Sequence, residues 1–281
     1  MSILSAIILL IAGTIIYCFW FFPTEIEIKN NILRRHTDNI IFEKSHLLWD
    51  TGANGSSILI DNFKQKKTLI GISIHYDAFK KIKIGKLYFS RNTIINSIFI
   101  NNFIYTKLDK CEISTEIKKF NYIGILGMNV ISNYNWLLDF DKNTLQNIPK
   151  TESHKEKHDF KLTYLFKIFP YTSIAIEGIK LKKILIDSGL NTDCVLRADD
   201  ITQINEIVQP DTVIEQFSNG LFSDSILSKQ YIYTNIKIND TIFNTLTITE
   251  GEKRLIGAGF FRKFDRVFWD SGNREVKFYR D

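Results

Sequence analysis

The chain is predicted to be an all-β protein made of two similar halves, and three features of its sequence lead there. Its apolar runs are short and dominated by Ile, Val, Tyr, Phe and Thr, the side chains that suit a pleated, half-buried surface. Turn residues (Gly, Asn and Asp) punctuate those runs. Finally, one arrangement occurs twice: Leu47-Leu48-Trp49-Asp50-Thr51-Gly52-Ala53-Asn54 and Ile184-Leu185-Ile186-Asp187-Ser188-Gly189-Leu190-Asn191. Each copy reads as a strand that delivers one carboxylate into a polar, Gly-containing loop.

Composition narrows the class further. With 281 residues and 44% apolar content, the chain can bury a sizeable core in one or two domains. A net charge of +5 is mild and is not gathered on one face, so it reads as a solubility feature and no nucleic-acid partner is expected. Cys18, Cys111 and Cys194 form no Cys-x-x-Cys and no zinc spacing. A Cys111–Cys194 disulfide stays open, with free buried thiols the expectation.

In chain order, residues 24–148 form the first half. Short strands are expected around Ile40-Ile41-Phe42, around Thr68 to Ile74, and in Ile82-Lys83-Ile84-Gly85-Lys86-Leu87-Tyr88-Phe89. The last segment aligns without gaps on Ile236-Lys237-Ile238-Asn239-Asp240-Thr241-Ile242-Phe243, and both are read as strand, tight turn, strand. Residues 149–161 are charged, nearly free of apolar side chains and entered through Pro149; they are taken as the linker. His154 and His158 lie there four apart, but with no third ligand nearby they read as solvated rather than metal-binding. The second half covers residues 162–281. Residues 127–143 match residues 257–273 at identical spacing, which makes Asp270 in Trp269-Asp270-Ser271-Gly272 a hairpin-turn residue, despite its likeness to the two repeated motifs.

Two more apolar-apolar-Gly segments complete the pattern. Ile125-Leu126-Gly127 follows Asp50 and Leu255-Ile256-Gly257 follows Asp187, 77 and 70 residues on. As a set, Asp-(Thr/Ser)-Gly twice and apolar-apolar-Gly twice, in this order, resembles the pepsin and retropepsin clan of aspartic peptidases. The 137 residues between the two aspartates are short for a pepsin, so the chain looks most like bacterial retropepsin-like proteins with two fused lobes.

That resemblance implies a bilobed acid-protease duplication acting as an aspartic endopeptidase on a polypeptide substrate, with Asp50 and Asp187 as the catalytic pair. Thr51 and Ser188 would lock the two loops together, while Gly52 and Gly189 would allow close backbone approach. Gly127 and Gly257 would pack behind the loops in a structural role. Tyr76, in the stretch 71–78, is the flap-tip candidate, with residues 218–222 as a smaller counterpart. No metal or organic cofactor is implied, and a monomer would be complete. Leu190 departs from the small or hydroxylated residue usual in the clan. It keeps open an alternative, a catalytically inactive, membrane-anchored peptide-binding module on the same fold.

Residues 3–22 are twenty consecutive uncharged, mostly apolar residues, long enough to cross a bilayer as a helix. Their aromatic end, Tyr17 to Phe22, suits a membrane interface. A single-pass transmembrane anchor is expected; a cleaved signal peptide is the rival, although no basic segment precedes the run and no small-x-small site ends it. Lys29, Arg34 and Arg35 follow the run, which by the positive-inside rule would keep the domain in the cytoplasm. Tethered peptidases of the resembling clan usually face away from it, and an extracytoplasmic domain is the expectation adopted.

Overall fold

The computed structural model describes residues 25–28, 40–42, 46–59, 66–76, 81–95, 98–109, 122–152, 156–218 and 226–280. The expected anchor at 3–22, Cys18, Cys111, His154 and residues 219–222 lie outside them. Among the described residues no helix is long and apolar enough to cross a membrane.

The all-β expectation holds. In the first half, β1 (Glu25–Ile28) pairs along β7 of a sheet ordered β2-β3-β8-β4-β7-β6-β5. Its strands are β2 (Ile41–Phe42), β3 (Leu47–Trp49), β4 (Ser56–Ile58), β5 (Thr68–Tyr76), β6 (Ile82–Ile95), β7 (Ile98–Lys107) and β8 (Gly124–Leu126). The second half repeats this order as β12-β13-β18-β14-β17-β16-β15. Here the strands are β12 (Tyr171–Ile176), β13 (Ile179–Asp187), β14 (Cys194–Leu196), β15 (Thr212–Ser218), β16 (Ile226–Ile238), β17 (Thr241–Glu250) and β18 (Leu255–Gly257). An extra pairing of Ile176 with Ile238 curls this second sheet towards a barrel.

One topological device sets both aspartates. β8 lies parallel to β3 and antiparallel to β4, so it fills the slot between two strands that the Asp50 loop connects. β18 does the same between β13 and β14. With neighbours on both sides and both faces covered, β3 and β8 are buried at every position, which is why they read as unbroken apolar runs.

A third, five-stranded sheet joins the halves. Its order is β10-β9-β19-β20-β11, with β9 (Asn135–Asp139) and β10 (Thr144–Ile148) from the first half. β11 (Phe160–Thr163), β19 (Arg266–Asp270) and β20 (Glu275–Tyr279) come from the second. Trp136 and Trp269 are register partners across its centre. Trp49, the residue before Asp50, meets Trp136 edge-on at 6.1 Å and Trp269 at 5.7 Å. All three rings are fully buried, so the aspartate loops stand on an aromatic floor fed from three strands.

Three sequence-based boundaries change. Gly85-Lys86 makes no turn: β6 runs straight through it. Gly85 is required there because a Cβ would fall 2.2 Å from Thr106 Cγ2 on β7. The β6–β7 pair therefore corresponds to β16–β17, whose turn is at Asn239-Asp240, and the gapless hairpin alignment fails. The second duplicated stretch carries one extra residue. α1 (Met128–Ile131) and α2 (Ala258–Phe261) match, but Asp139 and Asp270 are the equivalent strand ends. Each aspartate accepts an N–H from three residues on, Lys142 at 2.8 Å and Asn273 at 2.9 Å, so Asp270, expected in the hairpin turn, is the last residue of β19 and caps that turn with its carboxylate. The linker gives up its last two residues: Phe160 and Lys161 belong to β11, and the Phe160 ring packs among Phe243, Phe260, Phe264 and Phe278.

Trp49→Ala removes the ring that ties β3 to the central sheet. We expect it to lower unfolding free energy by about 3–5 kcal/mol in urea titration, the range for emptying an aromatic core site.

Candidate active site

Asp50 follows β3 and Asp187 ends β13, and the loops after them cross. Thr51 N–H donates to Ser188 Oγ at 2.9 Å, and Ser188 N–H donates to Thr51 Oγ1 at 3.0 Å. The same hydroxyls then donate onward across the join, Thr51 Oγ1 to Ile186 O at 2.9 Å and Ser188 Oγ to Trp49 O at 2.8 Å. Each side chain thus accepts from the opposite loop and donates to the opposite strand. Both are fully buried, so all four bonds are made away from water, where an unmade one costs most.

The glycines explain how close the loops come. A Cβ on Gly52 would lie 2.2 Å from Asp187 Cγ, and one on Gly189 would lie 2.7 Å from Asp50 Cγ. Each glycine backs the carboxyl of the other half, and no larger residue fits. This sets the Asp50 and Asp187 carboxyls side by side, each backed by the glycine of the opposite loop and close enough to shift the other's pKa.

Two carboxyls so placed cannot both ionise cheaply. Burial raises the pKa of Asp50 above its ordinary value, against the opposing pull of the Gly52 and Ala53 amides. Asp187 is raised further, by burial and then by the charge of Asp50. The amide count agrees. Asp50 Oδ1 accepts from Gly52 N–H at 2.8 Å and Ala53 N–H at 3.0 Å, whereas Asp187 Oδ1 accepts only from Gly189 N–H at 3.1 Å. The two carboxyls titrate as a coupled pair, and the extra amide donor favours negative charge on Asp50. As whole residues, Asp50 and Asp187 are half-buried.

Leu190 accounts for the missing donor. Its N–H turns to the main-chain oxygen of Asp187 at 3.1 Å, where the equivalent Ala53 amide reaches the carboxylate. Its side chain lies back against Gly257, with Cδ2 3.1 Å from a Cβ built there. Gly127 and Gly257 sit behind the loops: a Cβ on Gly127 would strike Gly55 O at 2.6 Å, and one on Gly257 would strike Thr192 O at 2.1 Å.

A groove of about 1170 Å³ opens from Gly189 through the second half, lined by Leu190, Val195, Phe217, Ile226 and Leu255 among others. The β15–β16 hairpin overhangs it. In the first half the matching hairpin is β5–β6, which exposes Ile72, Ile74, Ile82 and Ile84. On β5, Ser73 Oγ bonds both His75 Nε2 at 2.6 Å and Thr106 Oγ1 at 2.5 Å, and burial lowers the His75 pKa. Tyr76 is the last residue of β5, opposite Ile82; its side chain and residues 77–80 lie outside the described residues.

Some residues of the site carried no sequence signal. Lys253 lines the groove, and its charge partly offsets the upward shift of Asp187. Ser56 and Asn129 form a buried pair behind the first loop, Oγ to Oδ1 at 2.7 Å, and Ser56 Oγ accepts from Gly127 N–H at 3.0 Å. Asp193 takes that place in the second half and pairs with Lys263 at 2.8 Å. Cys194 is buried and free, and burial holds its thiol well above the ordinary range. Among the described residues no group of three or more His, Cys, Asp or Glu could hold a metal ion.

Two outcomes test this geometry. Ser188→Ala strips Thr51 N–H of its acceptor and should lower unfolding free energy by about 1–3 kcal/mol. Asp187→Asn mimics the protonated carboxyl. A raised folded-state pKa costs stability as pH climbs above the unfolded value of 3.8, so the variant should melt above wild type at neutral pH, with the gap closing as pH falls towards 3.8.

Matched against protein-family models and against curated proteins, the chain finds no counterpart in either.

Proposed function

We propose that the chain is an aspartic endopeptidase whose two halves are the lobes of a pepsin- or retropepsin-like fold. The observation that carries the reading is the pair of carboxyls, Asp50 and Asp187, each packed against the glycine of the other half at the crossing of two loops that bond each other reciprocally. One water bound between the carboxyls would be the nucleophile. As its oxygen attacks the substrate carbonyl carbon, ionised Asp50 takes a water proton and Asp187 gives its proton to the carbonyl oxygen. Collapse of the tetrahedral intermediate breaks the C–N bond: Asp50 returns its proton to the leaving nitrogen and Asp187 recovers one from a hydroxyl. The substrate would lie along the groove beside Gly189, under the β5–β6 and β15–β16 hairpins. A single chain supplies both aspartates, so a monomer suffices, and residues 3–22 would tether the domain to a membrane, facing away from the cytoplasm.

A non-catalytic peptide-binding module is the second reading, favoured by the Leu190 amide, which turns away from the Asp187 carboxylate.

Full-length protein in detergent should cleave an unstructured polypeptide at mildly acidic pH and be blocked by a pepstatin-type inhibitor. Asp50→Asn should lower kcat by at least about 10³-fold in a protein that still unfolds cooperatively. Activity should fall on the acid side as the pair takes a second proton and on the alkaline side as Asp187 loses its own. Intact substrate across that range, with peptide still bound, selects the binding module.

A further inference from the structure

The exposed isoleucines of the β5–β6 hairpin and the apolar tip of β15–β16 are accounted for by a cleft that they would cover. One exposed apolar patch is not. Between β11 and β12, residues 165–169 read Leu-Phe-Lys-Ile-Phe, and all five are exposed between buried Tyr164 and buried Pro170. Leu165, Phe166, Ile168 and Phe169 keep 64%, 57%, 45% and 40% of their surface in water. None of them lines the groove.

The loop is held in this display. Tyr164 N–H donates to Arg274 O at 2.9 Å, Leu165 N–H to Tyr171 O at 2.9 Å, and Tyr171 N–H to Phe169 O at 2.7 Å. The Arg274 guanidinium donates to Leu165 O at 3.0 Å. Cations surround the apolar side chains. Lys167 stands in the middle of the loop and Lys150 lies against it; partial burial and the Lys167 charge push the Lys150 amine down to about 8. Neither lysine has a carboxylate partner among the described residues.

We infer that residues 165–169 are a membrane-contact loop, which beds Leu165, Phe166, Ile168 and Phe169 at the headgroup level of an anionic bilayer with Lys150, Lys167 and Arg274 among the lipid phosphates. Large apolar side chains flanked by two lysines that have no carboxylate partner among the described residues match such a surface in both polarity and charge. A second copy of the chain fits less well, because a symmetric contact would bring two basic patches together. The inference rests in part on the membrane tether proposed above, since residues 3–22 end just before β1 and would hold the domain near a bilayer.

The test places the photocrosslinker p-benzoylphenylalanine at Phe166 in the full chain, reconstituted in phosphatidylcholine vesicles with or without phosphatidylglycerol. The control site is Phe217 on β15, which is the more exposed of the two. Lipid adducts at 166 should exceed those at 217 by at least about fivefold. They should fall at least about threefold in Lys150→Gln/Lys167→Gln or when the anionic lipid is omitted. Equal lipid adducts at the two sites, adducts to a second protein chain, or indifference to both lysines and lipid charge would overturn the inference. Carbonate-washed vesicles report the tether separately: protein released by the wash sinks the anchor, while protein retained without adducts at 166 sinks only the loop.

Discussion

Two carboxyls held against each other and largely out of water are the constraint to which the rest of the structure answers. Left to themselves they would repel, and the loops that carry them would part. The crossing of Thr51 and Ser188 resists this with four buried hydrogen bonds, two in each direction. Below the crossing, β8 and β18 wedge each aspartate strand in place, and the Trp49, Trp136 and Trp269 rings tie the first loop to the sheet shared by both halves. A proton shared by the pair, as the proposed chemistry requires, would remove what repulsion remains. Stability and that chemistry would then draw on the same proton.

The halves solve one geometric problem with different side chains. Behind the first loop, Gly127 N–H is received by Ser56 Oγ, and Asn129 Oδ1 accepts in turn from the Ser56 hydroxyl and amide. Behind the second, Gly257 N–H goes to Asp193 O, while the Asp193 carboxylate takes Thr247 N–H at 2.8 Å and the Lys263 ammonium. A neutral network has been replaced by a charged one with the backbone course preserved. The Ala53 and Leu190 positions diverge in the same way, and the result is electrostatic: Asp50 has one more amide donor than Asp187.

What the sequence made legible was local and repeated. Asp50, Thr51, Gly52 and their second-half partners announce themselves because a tight loop at the end of a buried strand needs those residue types in that order. Their meeting across 137 residues could be inferred only from the duplication, since no local pattern encodes a cross-chain bond. Gly85 reads as a turn in the sequence because glycine signals both a bend and a close approach, and only the Thr106 methyl one strand away tells the two apart. Phe160 reads as linker because a lone Phe in a charged run shows nothing of the four aromatic rings it joins. Lys253 and the Asp193–Lys263 pair gave no signal at all, being single residues brought in by tertiary packing.

The most direct test of the shared proton is a ¹³C-carboxyl NMR titration of Asp50 and Asp187 in the folded protein. The account predicts two coupled steps, both displaced above 3.8, with the Asp187 step moving down when Asp50 is replaced by Asn. Independent titration of both carboxyls near 3.8, with Asp187 unmoved by that replacement, would contradict it.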